Sequence, residues 1–298
     1  MKLSLGPLLY YWPRAAVLTF YEQIARSAVS TVYLGDIVCS RRHELRRADW
    51  IDLAQDLAGA GKEVVLSTPV LLESESDLKA MRRVVDNGTY AVEANDMGAV
   101  RLLSGKGRFV AGPHLNVYNP QTLALIAGLG AGRWVAPVEM TRDMLVDMVK
   151  SAPEGIETEV FGYGRLPLAH SARCFTARRN NLPKDDCRFT CLEHPDGLGL
   201  DTREGEPFIV MNGVQTQSAL VHTLCAELEA AEKLGIGVMR ISPQSRHTLQ
   251  VIELFDARLK HLVSPADGTE ALAALAPAAL CNGYWYGKAG HDRIEVTA

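Results

Sequence analysis

The chain contains no apolar run long enough to cross a bilayer as a helix. It has little excess charge of either sign, with 31 Lys and Arg against 35 Asp and Glu for a formal −4. That balance argues against bulk binding to nucleic acid or to an anionic membrane. Low-complexity segments and short repeats are missing. The opening MKLSLGPLLYYWPRAA is apolar, but Gly6 and Pro7 break it early, and it does not read as a secretory signal. Several catalytic signatures are absent as well. HELRR, from His43 to Arg47, lacks the second histidine of H-E-x-x-H, which excludes a zincin helix. There is no G-x-S-x-G elbow and no P-loop. The glycines of GLGAG, from Gly128 to Gly132, precede a strand-like run, the wrong polarity for dinucleotide binding. No ordered Cys/His/Asn arrangement is visible for a thiol peptidase.

What is present is a large apolar fraction and an uneven set of thiols. The 298 residues are 47% hydrophobic, ample for one large core of barrel size. Six cysteines without a secretion signal point to a reducing compartment, the cytoplasm, where metal or thiol chemistry is favoured over disulfides. Three of them lie together as C-x12-C-x3-C: Cys174, Cys187 and Cys191. A fourth, Cys39, stands far upstream in YLGDIVCSRRHE. Thiolates are soft anions that bind iron–sulfur clusters and zinc tightly. The spacing matches neither the paired short hooks of zinc fingers nor the common ferredoxin runs.

Short β-rich runs alternate with helical patterns. Strands are expected at residues 2–5, 31–34, 63–67, 90–93, 109–112, 134–138, 157–163 and 237–241. Helical patterns cover 15–27, 50–60, 74–86, 120–129 and 142–150, with Asp49, Ser74 and Thr141 as capping residues. This alternation predicts parallel strands with helical crossovers, and eight such strands close a (β/α)8 TIM-like barrel. An open doubly wound sheet is the alternative. The rhythm breaks after the seventh strand, where residues 166–217 form an insertion carrying the cysteine triplet and a strand-like run at 207–212. A helix at 220–234 is expected to resume the pattern, and 245–262 to be the last barrel helix. The expected organisation is a barrel over 1–262 including the insertion, with a tail, 263–298, packed on it. Cys39 then follows the second strand and the triplet follows the seventh. Both loops emerge on the C-terminal face of a barrel, where active sites are built.

Three readings of the four thiols stand open: an iron–sulfur cluster, a zinc site, and separate buried cysteines. The triplet's company of Arg178, Arg179, Lys184, Asp185, Asp186 and Arg188 is poor for inert core cysteines, and arginines favour the thiolate. Cys225 falls within an apolar pattern with Leu220, Val221, Leu224 and Leu228 and is expected in the core. Cys281 sits beside tail aromatics and is not assigned as a ligand.

The segments LSLGPLLYYWPR, VYLGDIVCSRRHE, GPHLNVYNPQTL, HSARC…CRFTC and CNGYWYGK resemble the UbiU/UbiV group of the collagenase-like peptidase family. The resemblance covers most of the chain. It implies a barrel fold and a 4Fe–4S cluster on Cys39, Cys174, Cys187 and Cys191. It also implies a UbiU-type protein as partner in a heterodimer, and a part in oxygen-independent ring hydroxylation during ubiquinone biosynthesis. The quinone precursor is then held wholly or partly by the partner. Related members hydroxylate RNA bases, with prephenate as the associated oxygen donor.

Other polar residues have two readings each. His170, Arg173, Arg178 and Arg179 flank the triplet, either to hold an anionic substrate such as prephenate or as a solvated basic loop. His114 and Asn116 follow the fifth strand, Glu93 ends the fourth and Glu139 follows the sixth, so all four are expected at the barrel mouth. There they either line a substrate pocket or satisfy loop backbone. His114, Asn116 and Arg173 are the substrate candidates. Arg41–Arg47 is either an RNA-contacting patch or, as favoured by the acidic total, a solvated face. Trp12, Trp134, Trp285 and Tyr286 are expected mostly in the core, with the tail aromatics as possible cover for an interface.

Overall fold

A computed structural model describes residues 1–295. The last three residues of the expected tail lie outside the described residues. The strands are β1 (Lys2–Leu5), β2 (Thr31–Leu34), β3 (Glu63–Ser67), β4 (Ala91–Ala94), β5 (Phe109–Ala111), β6 (Ala131–Val135), β7 (Glu157–His170), β8 (Leu198–Asp201), β9 (Pro207–Asn212), β10 (Gln215–Thr223), β11 (Val238–Ile241) and β12 (Leu280–Cys281). The helices are α1 (Arg14–Ala25), α2 (Arg47–Gly59), α3 (Glu75–Val85), α4 (Met97–Leu103), α5 (Pro120–Gly128), α6 (Arg142–Ser151), α7 (Phe175–Arg179), α8 (Leu228–Lys233), α9 (Thr248–Leu259) and α10 (Pro265–Leu275).

Strands β1 to β7 pair in order, all parallel, and β11 pairs with both β7 and β1. The result is a closed eight-stranded parallel barrel wrapped by alternating helices, as the β-α alternation predicts. Strands such as β2, TVYL, and β11, VMRI, are buried along their whole length, as a sheet covered on both faces requires. Their outward residues pack against the helices in one core that includes Val32, Leu34, Met239 and Ile241. Ser74 and Thr141 cap α3 and α6 by accepting the N–H of Asp77 and Met144, each at 3.2 Å. Asp49 acts differently from the expectation. It sits inside the first turn of α2, where its carboxylate accepts the Arg46 N–H at 2.7 Å.

The barrel interior is not purely apolar. Successive strand residues alternate faces, so Tyr33, Glu93, Arg133, Glu159 and Arg240 share the inner one. Arg240 Nε donates to Glu159 at 2.7 Å, and its Nη2 donates to Glu93 at 2.8 Å. Its guanidinium lies 4.0 Å from the Tyr33 ring centre. Ser4 and Tyr33 donate to the same Glu159 at 2.7 and 2.5 Å. Nearer the N-terminal end, Arg133 reaches Tyr33, Glu157 and Glu63. Burial works against the charge on Arg240, but Glu159 and Glu93 outweigh it and hold the pKa well above the ordinary value.

Three expectations need correction. Strand β6 spans Ala131–Val135 rather than 134–138; Pro137, which lacks an N–H for the ladder, lies beyond it. β7 does not stop at Tyr163 but runs fourteen residues to His170. It bends at Gly164, whose φ of +131° and approach to Ser242 exclude a side chain there. Past the bend it pairs antiparallel with β10, which pairs with β9 and β9 with β8. The third concerns residues 220–234. The first part is the end of β10, and the helix there is only Leu228–Lys233. The tail adds α10 and returns along β10 through β12, which places Trp285 in the core at 3% exposure.

Replacing Arg240 by Met leaves the buried Glu93 without a cation and Glu159 with only Arg133, 3.8 Å away. Urea unfolding should show a loss of about 3–5 kcal/mol. A loss under about 1 kcal/mol would mean the network is not an energetic keystone.

Candidate functional site: a thiol face beside the barrel mouth

Cys39 lies in the loop after β2. Cys174 is the N-cap of α7, four residues beyond the end of β7. Cys187 follows a 3-10 turn at Lys184–Asp186, and Cys191 lies in another at Thr190–Glu193. The loops are tied together across the sequence. Arg41 donates to the Asp185 carbonyl at 2.6 Å, Lys184 to the Ala172 carbonyl at 3.0 Å, and the Phe175 N–H to the Gly213 carbonyl at 2.9 Å. Lys184 also pairs with Glu73, in the loop before α3.

The four thiols are free and half-buried. Cys39 and Cys174 pack on a small apolar cluster of Leu9, Ile37, Val38 and Val214. Burial pushes the Cys174 thiol above its ordinary pKa, and the charges of Cys39 and Cys187 push further. Burial likewise raises Cys191, against the pull of Arg42, while Cys39, Cys174 and Cys187 add to the rise. The structure therefore brings all four within electrostatic reach of one another. Among the described residues, no three or more His, Cys, Asp or Glu side chains form a group fit for a single metal ion. Backbone also serves the site: the Ala177 N–H donates to Cys174 Sγ at 3.4 Å. Arg188 and Phe189 both adopt left-handed φ, 50° and 53°, between Cys187 and Cys191. Non-glycine residues hold that conformation only where their surroundings enforce it. Phe189 is braced by Tyr11, with ring centres 5.9 Å apart.

Arg42 is the cation nearest this face that is itself buried, at 4% exposure. It donates to the Leu9 carbonyl at 2.6 Å and to Asn212 Oδ1 at 2.8 Å. Asn212 donates to Gln215 at 3.1 Å, and Gln215 meets His170 at 3.2 Å. The His170 ring stands edge-on to His114, 4.8 Å between centres. One polar chain thus runs from the thiol face to the barrel mouth.

At the mouth, His114, Asn116, Glu139 and His170 line one cavity of about 210 Å³. Tyr118 donates to Glu139 at 2.8 Å. Burial lowers His114 to about 3, helped by His170 and Arg240, and lowers His170 to about 4. Both rings are neutral near pH 7. Glu93 lies deeper than expected, fully buried on Arg240 in the barrel. Arg173 is not brought to His114 and Asn116. It is exposed on the thiol face and is not among the residues lining their cavity. Arg178 and Arg179 are exposed there too. Sequence reasoning missed Arg42, Asn212, Gln215 and Arg240. Their one sequence signal is a polar residue at an inward position of a strand or beside a thiol.

A family model described as Peptidase family U32 matches residues 17–293. Three solved structures are similar at low identity. The U32 peptidase Mk0906 is 11% identical with a TM-score of 0.46, over 82% of this chain and 93% of that one. The spore cortex-lytic enzyme SleL of Bacillus megaterium QM B1551 is 10% identical, TM-score 0.44, over 86% and 74%. HPPK-DHPS of Plasmodium falciparum is 10% identical, TM-score 0.44, over 88% and 46%. No helix of the described residues is long and apolar enough to cross a membrane.

Two outcomes follow from the burial and charge at these sites. Cys225 and Cys281 are 0% exposed, with thiols pushed by burial to about 12 and about 11. In metal-free, reduced native protein, a thiol reagent should modify the four half-buried cysteines and reach these two only after unfolding. Early labelling of Cys225 in a mass-spectrometric time course would contradict the burial. The second outcome concerns pH. His114, His170 and His222 are all lowered by burial, from 6.5 to about 3, about 4 and about 4. The unfolded chain takes up protons below its ordinary value while the native chain does not, so stability falls as pH drops from about 6.5 to about 4. Urea midpoints across that window should fall, and His222→Leu should flatten the slope by about 1.4 kcal/mol per pH unit. An unchanged slope would show that His222 is protonated in the native state.

Proposed function

The chain belongs to peptidase family U32, and from that premise we propose that it is the iron–sulfur subunit of an oxygen-independent ring hydroxylation system. The observation that carries the reading is the gathering of Cys39, Cys174, Cys187 and Cys191, from two distant loops, into one electrostatically coupled set. These four would hold a 4Fe–4S cluster, a group that supplies one-electron redox chemistry when bound. The donor set fits. All four side chains are soft sulfur ligands, free of disulfides and half-buried. Arg42 supplies a buried compensating charge beside Cys191. The raised thiols mean that loading must displace protons, so cluster binding tightens with pH.

The likeness of segments such as VYLGDIVCSRRHE and HSARC…CRFTC to UbiV-type sequences supports the finer assignment: a cytoplasmic role in ubiquinone biosynthesis, as a heterodimer with a UbiU-type protein. In this reading the barrel mouth, with His114 and Asn116, receives the aromatic quinone precursor, alone or together with the partner. Arg173, on the thiol face, is placed to meet an anion such as prephenate rather than the ring.

A collagenase-like peptidase is the second reading, and the family match itself favours it. Cys174 and Cys191 are poorly suited as nucleophiles. An attacking thiol needs a lowered pKa, and Cys174 and Cys191 are raised.

The test is anaerobic co-expression with a UbiU-type protein. The chain should co-purify with it and contain about four iron and four sulfide per cysteine set. Cys187→Ala should lose the iron, and Cys281→Ser should keep it. Tightly bound zinc without iron would refute the cluster. Peptide hydrolysis insensitive to loss of iron would move the assignment to the second reading.

A further inference from the structure

The polar chain between the thiol face and the barrel mouth has a direction, because the groups that anchor it can each play only one part. Arg42 is one anchor, and a guanidinium has donors only. The Leu9 carbonyl is the other, and a carbonyl only accepts. Arg42 Nη2 donates to Asn212 at 2.8 Å, so the atom it meets is Oδ1. That turns Asn212 Nδ2 to the Leu9 carbonyl at 2.7 Å and to Gln215 at 3.1 Å. Such partners are what tell an amide nitrogen from an amide oxygen. Gln215 then offers Oε1 to Asn212, and Gln217 Nε2 donates to the same oxygen at 2.9 Å. The amide nitrogen of Gln215 is left for the far side, where it lies 3.2 Å from His170 Nε2. Asn212, Gln215 and Gln217 are all buried, so solvent offers these amides no competing partner.

An amide N–H facing a ring nitrogen needs a lone pair there. An imidazole with its proton on Nε2 would set donor against donor, and so would the doubly protonated ring. His170 therefore carries its one proton on Nδ1, since the hydrogen bond at one ring nitrogen decides the state of the other. Burial agrees: it lowers His170 to about 4, so the ring holds a single proton near pH 7. Nδ1 has no hydrogen-bond partner among the described residues, and it is not closed off from solvent. The residue forms part of the wall of the mouth cavity. His114, with its ring centre 4.8 Å away, is under no such constraint. Neither of its nitrogens is hydrogen-bonded among the described residues, and neither is closed off. Two imidazoles in one cavity wall thus differ in what they can do.

We propose that Arg42, Asn212 and Gln215 are positioning residues that lock His170 in the Nδ1–H tautomer, and so give the barrel mouth one fixed hydrogen-bond donor. The inference rests on the reading that the mouth receives substrate. A molecule held there meets His170 through an acceptor, an oxygen or nitrogen lone pair, and finds no base in that ring. Of the two imidazoles, His114 is the one with a lone pair to offer.

Long-range proton–nitrogen correlation NMR on the full-length chain, labelled with nitrogen-15 at histidine, tests it. The His170 ring is the one whose signals vanish in His170→Asn. At pH 7 its lone-pair nitrogen, the downfield one, should couple strongly to both ring C–H protons, which identifies it as Nε2. Gln215→Met removes the facing N–H, and the Nε2–H form should appear. Gln215→Glu sets an acceptor there instead and should place a proton on Nε2. A merely structural role for Gln215 would move neither signal. If neither variant folds, the unaltered chain decides. An Nε2–H ring in the unaltered chain overturns the proposal, and so does an Nδ1–H ring that both variants leave unchanged. The readout needs no substrate, so a failed hydroxylation assay leaves it intact. Iron measured on the same samples separates it from the cluster. An Nδ1–H ring in protein unable to bind iron keeps the tautomer lock and removes the cluster. Iron-loaded protein with an Nε2–H ring does the reverse.

Discussion

The barrel is organised around one guanidinium. Arg240, on the strand that closes the barrel, bonds Glu93 on β4 and Glu159 on β7, and stacks on Tyr33 of β2. All of these side chains are out of water. A buried ion pair contributes little net stability against an apolar replacement, because desolvating its charges costs nearly what their attraction returns. What it imposes is a requirement for a cation: Glu93 and Glu159, both fully buried, meet on the side chain at 240. The same network forms the floor of the mouth. Because Arg240 is saturated from below, the cavity above it is a place of hydrogen bonds and apolar walls rather than of charge.

Much of this was legible in the sequence. Eight strand runs spaced by helical patterns predicted the barrel, and the two loops bearing the thiols were assigned to one face from topology alone. The errors have physical reasons. Residues 220–223 are apolar enough to continue a helix, but in the fold they pair with β7 and β12, and sheet pairing prevails over a short apolar pattern. The overrun of β7 was hidden because the strand changes partners at Gly164 and continues as strand on the far side of the bend. Glu93 was correctly placed on the barrel strand but misassigned to the rim. Its depth depends on an arginine 147 residues away, which no local pattern reveals.

The thiol face and the mouth are two ends of one polar seam. Arg42, Asn212, Gln215 and His170 connect them, and each comes from a different part of the fold: the loop after β2, the end of β9, the start of β10 and the tip of β7. The antiparallel extension is what makes this possible. By prolonging β7 beyond the barrel and laying β9 and β10 beside it, the chain builds a wall that has one edge at the cysteines and the other at the histidines. Both sites are therefore loops braced by the same extension of the sheet.

The order in which the ladder closes has its own consequence for biogenesis. Lys2 pairs with Val238, so the first strand made must wait for nearly the whole chain before its second neighbour exists. Contacts so distant in sequence are slow to form, and the open barrel presents unpaired edges at β1 and β7 meanwhile. During that interval the segment with Cys174, Cys187 and Cys191 has already been synthesised, along with the partner strands that fix it to β7. The thiol face can thus be assembled on seven of the eight barrel strands, before the ring is sealed and before Arg240 arrives to lock it. The four thiols are thus in place while the pocket above Arg240 is still open.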